Sequence, residues 1–464
     1  MTNDRKHFFT FLIVFFSTLL VFNAKSLILL FVFSFVAFYL ILNNTLIEST
    51  FLTLLVSLPF ENSIRQWLIY NNPNLFDHYS LYFGITIKLI FGLLLLLFLL
   101  IPKNRKLFKK PSFSKNSILL SVFFILATFS SLFFRNGNIT IFMGYVQLIL
   151  ALLYYYFASI YFALPHKKNI FYVYVIALVI FSTTLGLMQF IKQSPTGKFI
   201  ELTPSFAKST GYVTTDGKAQ YRIAAFISHP VYFGSFMSIL IPIVIGIFLK
   251  KKQFRFLPII LLSILVLLET LSRSAWINLI IILLLFYFYQ KNHPISLPQI
   301  KVSKAIIYSL TSLVALLLII TIIPSLITRF NSIPNLLSDQ FGSLYSRLNL
   351  ARASIKITAN YPLFGVGLNG FTFQNQSAPP HNTFLIFFSE LGIPATIVFI
   401  IFVFRSIMPH LDPRKYQPIS FGIWLSLITF IVSSQFHPLF NIDPTFDLFM
   451  LTLGFFATCQ PSKI

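Results

Sequence analysis

Long apolar runs separated by short polar and basic segments recur along the whole chain. The stretches Leu93 to Ile101 and Ile280 to Phe286 are entirely apolar and lie within longer runs of this kind. A hydrocarbon core of about 30 Å is crossed by about 20 helical residues, and shorter runs span it by thinning the bilayer. Water cannot satisfy a backbone in that layer, so continuous runs of this kind predict helices. The pattern gives fourteen spans, at 8–22, 27–42, 45–60, 81–101, 117–134, 141–164, 170–191, 232–249, 256–272, 275–290, 305–323, 383–404, 419–434 and 446–459. The expected fold is an all-α integral membrane protein with about fourteen (12–14) transmembrane helices. Glu48 makes the third span the least regular.

Two long segments interrupt the helices, 192–231 and 324–382, and both are rich in Gly, Ser, Thr, Asn and Pro. The chain therefore divides into N-terminal helices (1–191), a first large loop, helices over 232–323, a second large loop and C-terminal helices (383–464). Inside the second loop Leu344, Leu348, Ala351 and Ile355 share one helical face, with Asn349, Arg352 and Lys356 on another. This stretch is expected to lie along the outer membrane surface and to stop before Pro362, because proline disfavours helix at the preceding residue.

Composition agrees with a membrane protein: 56% of residues are hydrophobic and 10% charged, against about 25% charged in a soluble domain. The net charge of +23 invites a nucleic-acid reading. The positions of the charges oppose it, since they sit in short loops and form no basic face on a soluble domain. With the N-terminus cytoplasmic, the inside loops hold 21 of the 35 basic residues, with Asp4 and Asp412 as their only acids. This is the positive-inside bias. It predicts a multi-pass protein of the cytoplasmic (inner) membrane with both termini cytoplasmic and both large loops extracytoplasmic. Arg5, Lys6 and His7 followed by an apolar run resemble a signal peptide, but no convincing cleavage site follows, so an uncleaved first helix is expected. The lone cysteine, Cys459, excludes an internal disulfide and any CxxC motif.

Polar residues suited to chemistry gather in the predicted outer loops. His381 and Asn382 stand just before the span at 383–404, where a histidine could simply cap the helix. Glu390 lies nine residues further on, nearly opposite His381 on a continuous helix, and is expected to hydrogen-bond a neighbouring helix. Arg273 follows Glu269 by four residues, the favourable order for an ion pair. A guanidinium so paired still has donors left for an anion. Arg222 lies before the span at 232–249, with snorkelling as its ordinary explanation, and His229 lies closer still. The glycines of Pro362-Leu363-Phe364-Gly365-Val366-Gly367 lack a following GK[ST] and read as a turn, not a phosphate cradle. His437, Asn441 and Asp443 share a loop, but nothing in their spacing demands a metal.

Together these segments resemble the O-antigen ligase and polymerase family of bacterial membrane glycosyltransferases. Arg222 through Gly234 looks like its arginine-led outer-loop motif, and Leu271-Ser272-Arg273-Ser274-Ala275-Trp276 like its Ser-Arg-small-Ala segment. Arg347 followed by Tyr361-Pro362-Leu363-Phe364-Gly365-Val366-Gly367 is similar to the passage of its large loop. His381-Asn382-Thr383-Phe384-Leu385 with Glu390-Leu391-Gly392 is similar to its His-Asn-x-x-Leu … Glu-x-Gly motif. The resemblance covers roughly 220–400.

The resemblance implies transfer of a glycan from an undecaprenyl-pyrophosphate carrier to an acceptor hydroxyl on lipid core, polysaccharide or protein. It implies His381 as base or acceptor-orienting group, and Arg222 and Arg273 on the pyrophosphate. Arg347 and Asn382 are implied as further substrate-binding residues, while Glu269, Glu390 and His229 are left as structural or unassigned. No cofactor is implied, and transfer is expected to be metal-independent. A protein oligosaccharyltransferase and a flippase or transporter of lipid-linked glycan remain the alternatives.

Overall fold

The computed structural model describes residues 3–20, 24–42, 44–60, 87–100, 115–133, 139–196, 212–215, 218–227, 229–292, 327, 343–371, 374, 379–408, 417–441 and 443–459. The expected span 305–323 and parts of both large loops lie outside these residues. The other thirteen expected spans each fall on a helix. These are α1 (Asn3–Ser17), α2 (Ala24–Leu40), α3 (Leu46–Ser57), α4 (Ile87–Leu100), α5 (Lys115–Phe133), α6 (Ile139–Tyr161), α7 (Lys168–Lys192), α8 (Pro230–Lys251), α9 (Leu257–Glu269), α10 (Arg273–Asn292), α12 (Thr383–Ile407), α13 (Pro418–Ser434) and α14 (Asp443–Phe456). The amphipathic stretch forms α11 (Ser343–Asn360) and ends two residues before Pro362, as expected. Six of the described helices, α5, α6, α7, α8, α10 and α12, are long and apolar enough to cross a membrane, and four shorter apolar helices accompany them.

One hairpin departs from the all-α expectation. Strands β1 (Tyr212–Thr215) and β2 (Lys218–Tyr221) pair antiparallel, with Tyr212 opposite Tyr221 and Thr215 opposite Lys218. The residues between them in sequence are Asp216-Gly217, the strongest short-range hairpin signal a sequence carries.

The chain forms two compact units. The first comprises 1–169, 339–411 and 434–458, and therefore holds α1–α6, α11, α12 and α14. Here α14 packs on α6, and α12 packs on α5 and α11. Glu48, which seemed out of place in a span, is the third residue of α3. It closes a capping box with Thr45 and pairs with Lys167 at 2.7 Å. A buried ion pair that the sequence did not suggest joins Lys88 of α4 to Asp447 of α14 at 2.8 Å. The second unit comprises 170–338, 412–433 and 459–464, with α8 packed on α9 and α10.

Helix α12 is broken at Gly392 (φ 81°, ψ 173°) and carries Pro394. In a straight helix the carbonyls of Ser389 and Glu390 would accept from residues 393 and 394. Proline has no N–H, and the Ile393 N–H turns to the Pro362 carbonyl at 2.8 Å. The stranded carbonyls are taken up by the 361–371 loop: Val366 donates to Ser389 at 2.9 Å and Gly367 to Glu390 at 2.8 Å. The Ser130 hydroxyl adds a bond to the Glu390 carbonyl at 2.8 Å. The two glycine motifs of the sequence are thus the two sides of one joint.

The close approach explains both glycines. A Cβ on Gly392 would lie 2.5 Å from the Leu363 carbonyl oxygen, and one on Gly365 (φ 62°) would press on the Glu390 backbone. The Gly392 conformation is nearly exclusive to glycine, and forcing another residue into it costs about 1–3 kcal/mol. Gly392→Ala is therefore expected to lower the thermal midpoint in detergent. Gly92→Ala, whose new atom meets only side-chain tips, should leave it unchanged or raise it. Equal midpoints for the two variants would contradict the joint.

Candidate functional site

In the first unit the joint sets the course of α12, and His381 stands at its head. The helix is capped by Asn382, whose Oδ1 accepts from the Phe384 and Leu385 N–H groups at 2.9 and 3.1 Å. The bland reading of His381 as the cap is therefore replaced by its neighbour. Asn382 Nδ2 donates to Gln435, to Oε1 at 3.2 Å and to the carbonyl at 3.4 Å. Thr383 fastens the same segment more deeply: its hydroxyl donates to the His437 carbonyl and accepts from the Leu439 N–H, both at 2.9 Å. Residues 435–439 thus form a bracket that fixes the start of α12. Gln435 and Thr383 are positioning residues that the sequence reading passed over. An Asn immediately before an apolar run is a preferred N-cap, and that signal was available.

His381 itself is half-buried, and its Nδ1 is buried with no hydrogen-bond partner among the described residues. Burial first, and then the positive charge of Arg347, hold its imidazole below the usual histidine range. Arg347 reaches this neighbourhood because α11 is fastened to α12. Leu350 and Ile357 pack with Val366 and Phe371 of the joint loop, and the Ser354 hydroxyl donates to the Leu385 carbonyl at 2.7 Å. Arg347 itself is exposed.

Glu390 is buried one helical segment away from His381. Its carboxylate accepts from the Asn369 N–H at 2.8 Å and the Phe371 N–H at 3.4 Å. Its partner is therefore the joint loop, not the neighbouring helix that the sequence suggested. The carboxylate clasps the loop from the side while the backbone of the same residue clasps it along the chain.

The second unit gathers Arg222, Glu269 and Arg273 around the break between α9 and α10. Leu271 has φ 48° there, so Glu269 ends one helix and Arg273 opens the next. The expected i,i+4 ion pair presupposes one continuous helix and does not form. Glu269 is fully buried, and neither carboxylate oxygen has a hydrogen-bond partner among the described residues. Arg222 does not snorkel. It is buried, with Nε donating to the Thr270 carbonyl at 3.1 Å while the Ile223 N–H donates to the Glu269 carbonyl at 3.3 Å. The C-terminal carbonyls of a helix lack intrahelical donors and carry the negative end of its dipole, which suits a guanidinium.

The buried segment after Arg222 is held by one amide. Gln189 of α7 accepts from Ala224 and Ala225 N–H groups at 3.0 and 2.8 Å and donates to the Ala225 carbonyl at 2.9 Å. His229 caps α8, its Nδ1 accepting from the Val231 N–H at 3.2 Å. Arg273 is half-buried at the first position of α10.

Residues 257–400 match the family model described as O-antigen ligase. The matched region includes Arg273, Arg347, His381, Asn382, Glu390 and both glycines of the joint. Arg222 and His229 lie before the matched residues. No curated protein and no solved structure matches the chain.

Proposed function

We propose that this O-antigen ligase-type membrane protein transfers a glycan from an undecaprenyl-pyrophosphate-linked donor to an acceptor hydroxyl at the extracytoplasmic face. The observation that carries the reading is His381: a half-buried imidazole, held below the usual histidine range by burial and by Arg347, inside the region that matches the family. In the transfer the acceptor oxygen attacks the anomeric carbon, and the bond to pyrophosphate breaks with its electron pair on the leaving oxygen. His381 takes the hydroxyl proton, work that suits a neutral imidazole. By the resemblance, Arg222 and Arg273 meet the charge that develops on pyrophosphate, for which fixed guanidinium donors are apt. Arg347 positions the donor. Asn382, whose amide is already engaged by its own helix and by Gln435, contributes the placement of His381.

The charge of Arg347 gives a signed pH prediction. A base whose pKa is depressed stays active as the pH falls, so the acid limb of kcat/KM should lie below about 6.5. Arg347→Gln removes a charge that opposes protonation, and the limb should move to higher pH. An unchanged limb would uncouple the two residues.

The reading is tested with purified protein and a lipid-linked glycan in detergent micelles, with and without EDTA. A transferase forms the new glycosidic bond in micelles, and a metal-independent one does so with EDTA present. A flippase needs two sealed compartments and forms no bond. Glycan moved across sealed vesicles with no product in micelles would overturn the proposal.

A further inference from the structure

Helix α11 has two apolar faces, and among the described residues one of them is packed. Leu350, Ala353 and Ile357 face the joint loop. At roughly 100° per residue, the stripe of Leu348, Ala351 and Ile355 points well away from that packing. Tyr345, Leu348 and Ile355 are 48%, 50% and 61% exposed, and the turn that follows adds Tyr361 at 40% and Leu363 at 63%. Arg347 and Arg352 lie roughly 70° to either side of the stripe, Lys356 lies beyond Arg352, and no acidic residue occurs in the helix. An apolar stripe flanked by cations is the pattern of a helix that rests in a phosphate-bearing interface.

The stripe is also continuous with a membrane-spanning surface. Phe364, at the end of the turn, stacks on Phe133 at the end of α5, with ring centroids 4.8 Å apart. It also meets Phe129 one turn earlier. Those α5 residues are themselves exposed, Phe133 at 66% and its neighbour Leu132 at 59%, on one of the helices long and apolar enough to span a bilayer. A partner protein covering the stripe would have to displace lipid from α5 as well.

We propose that the outer face of α11, with Tyr361 and Leu363, is immersed in the interfacial layer of the bilayer, with Arg347, Arg352 and Lys356 at the level of the lipid phosphates. The inference stands on the packing of the first unit and does not depend on glycan transfer. Its consequence is that α11, tied to α12 through Ser354, holds the head of α12 at a fixed height relative to the lipid surface.

The test uses the full chain in phosphatidylethanolamine and phosphatidylglycerol liposomes, in a Cys459→Ser background that removes its only cysteine. Single cysteines at Leu348, Ile355 and, as control, Asn349 are spin-labelled. Collision with oxygen is then compared with collision with a water-soluble nickel chelate. All three positions are exposed, so the labels leave the packing intact. Labels at 348 and 355 are expected to favour oxygen and to lie about 5–10 Å into the interface, with 349 favouring the chelate. Chelate access at 348 and 355 equal to that at 349 would place the stripe in water. Exclusion of both reagents would place it under protein. Either result overturns the proposal.

Discussion

His381→Ala is expected to give a folded, membrane-inserted protein that no longer transfers glycan at a useful rate. General-base assistance contributes about 10²–10⁴-fold, and the loss should fall on turnover while donor binding and thermal midpoint stay near those of the parent. The structure makes the variant interpretable, because the cap of α12 is supplied by Asn382 and the bracket by Thr383. His381→Gln separates two roles, since glutamine keeps a hydrogen bond but takes no proton at neutral pH. A Gln variant as active as the parent would leave His381 an orienting group. An Ala variant as active as the parent would remove it from the mechanism.

Arg273→Lys should cost almost as much. If the guanidinium clamps pyrophosphate, a point charge replaces a planar fork, and the loss in the transferring step should approach about 2.7–4 kcal/mol, as for removal of an oxyanion donor. A charge-balance role for Arg273 would need Glu269 as its partner, and that pair is not formed. Glu269→Gln should therefore leave transfer largely intact, and a double-mutant cycle between the two positions should show little coupling. Strong coupling, with the doubly neutral protein active, would return Arg273 to a structural role.

The hydropathy pattern was enough for the helices because a bilayer imposes length and composition on each span separately. The capped start of α3 shows its limit: Glu48 looked misplaced only because its cap and its Lys167 partner are invisible to hydropathy. The joint between 361–367 and 389–393 was legible as two glycine motifs but not as a contact, because backbone bonds leave no side-chain pattern. Arg222 was misjudged for a related reason, since its acceptor is a carbonyl at the end of α9 and not a charged side chain. On α11 the sequence pattern singled out the stripe whose Leu348 and Ile355 the fold leaves exposed. It passed over the second face, where a small residue and a serine interrupt the apolar spacing. Asn382 carried a readable capping signal, and the Asp216-Gly217 dipeptide a readable hairpin signal.

The most direct measurement is a single-turnover count with purified protein and donor labelled separately in its glycan and its lipid. The account predicts that each new glycosidic bond to an acceptor hydroxyl appears with one free undecaprenyl pyrophosphate, and that His381→Gln slows both together. Carrier released without a new bond, or glycan relocated while still attached to its carrier, would contradict it.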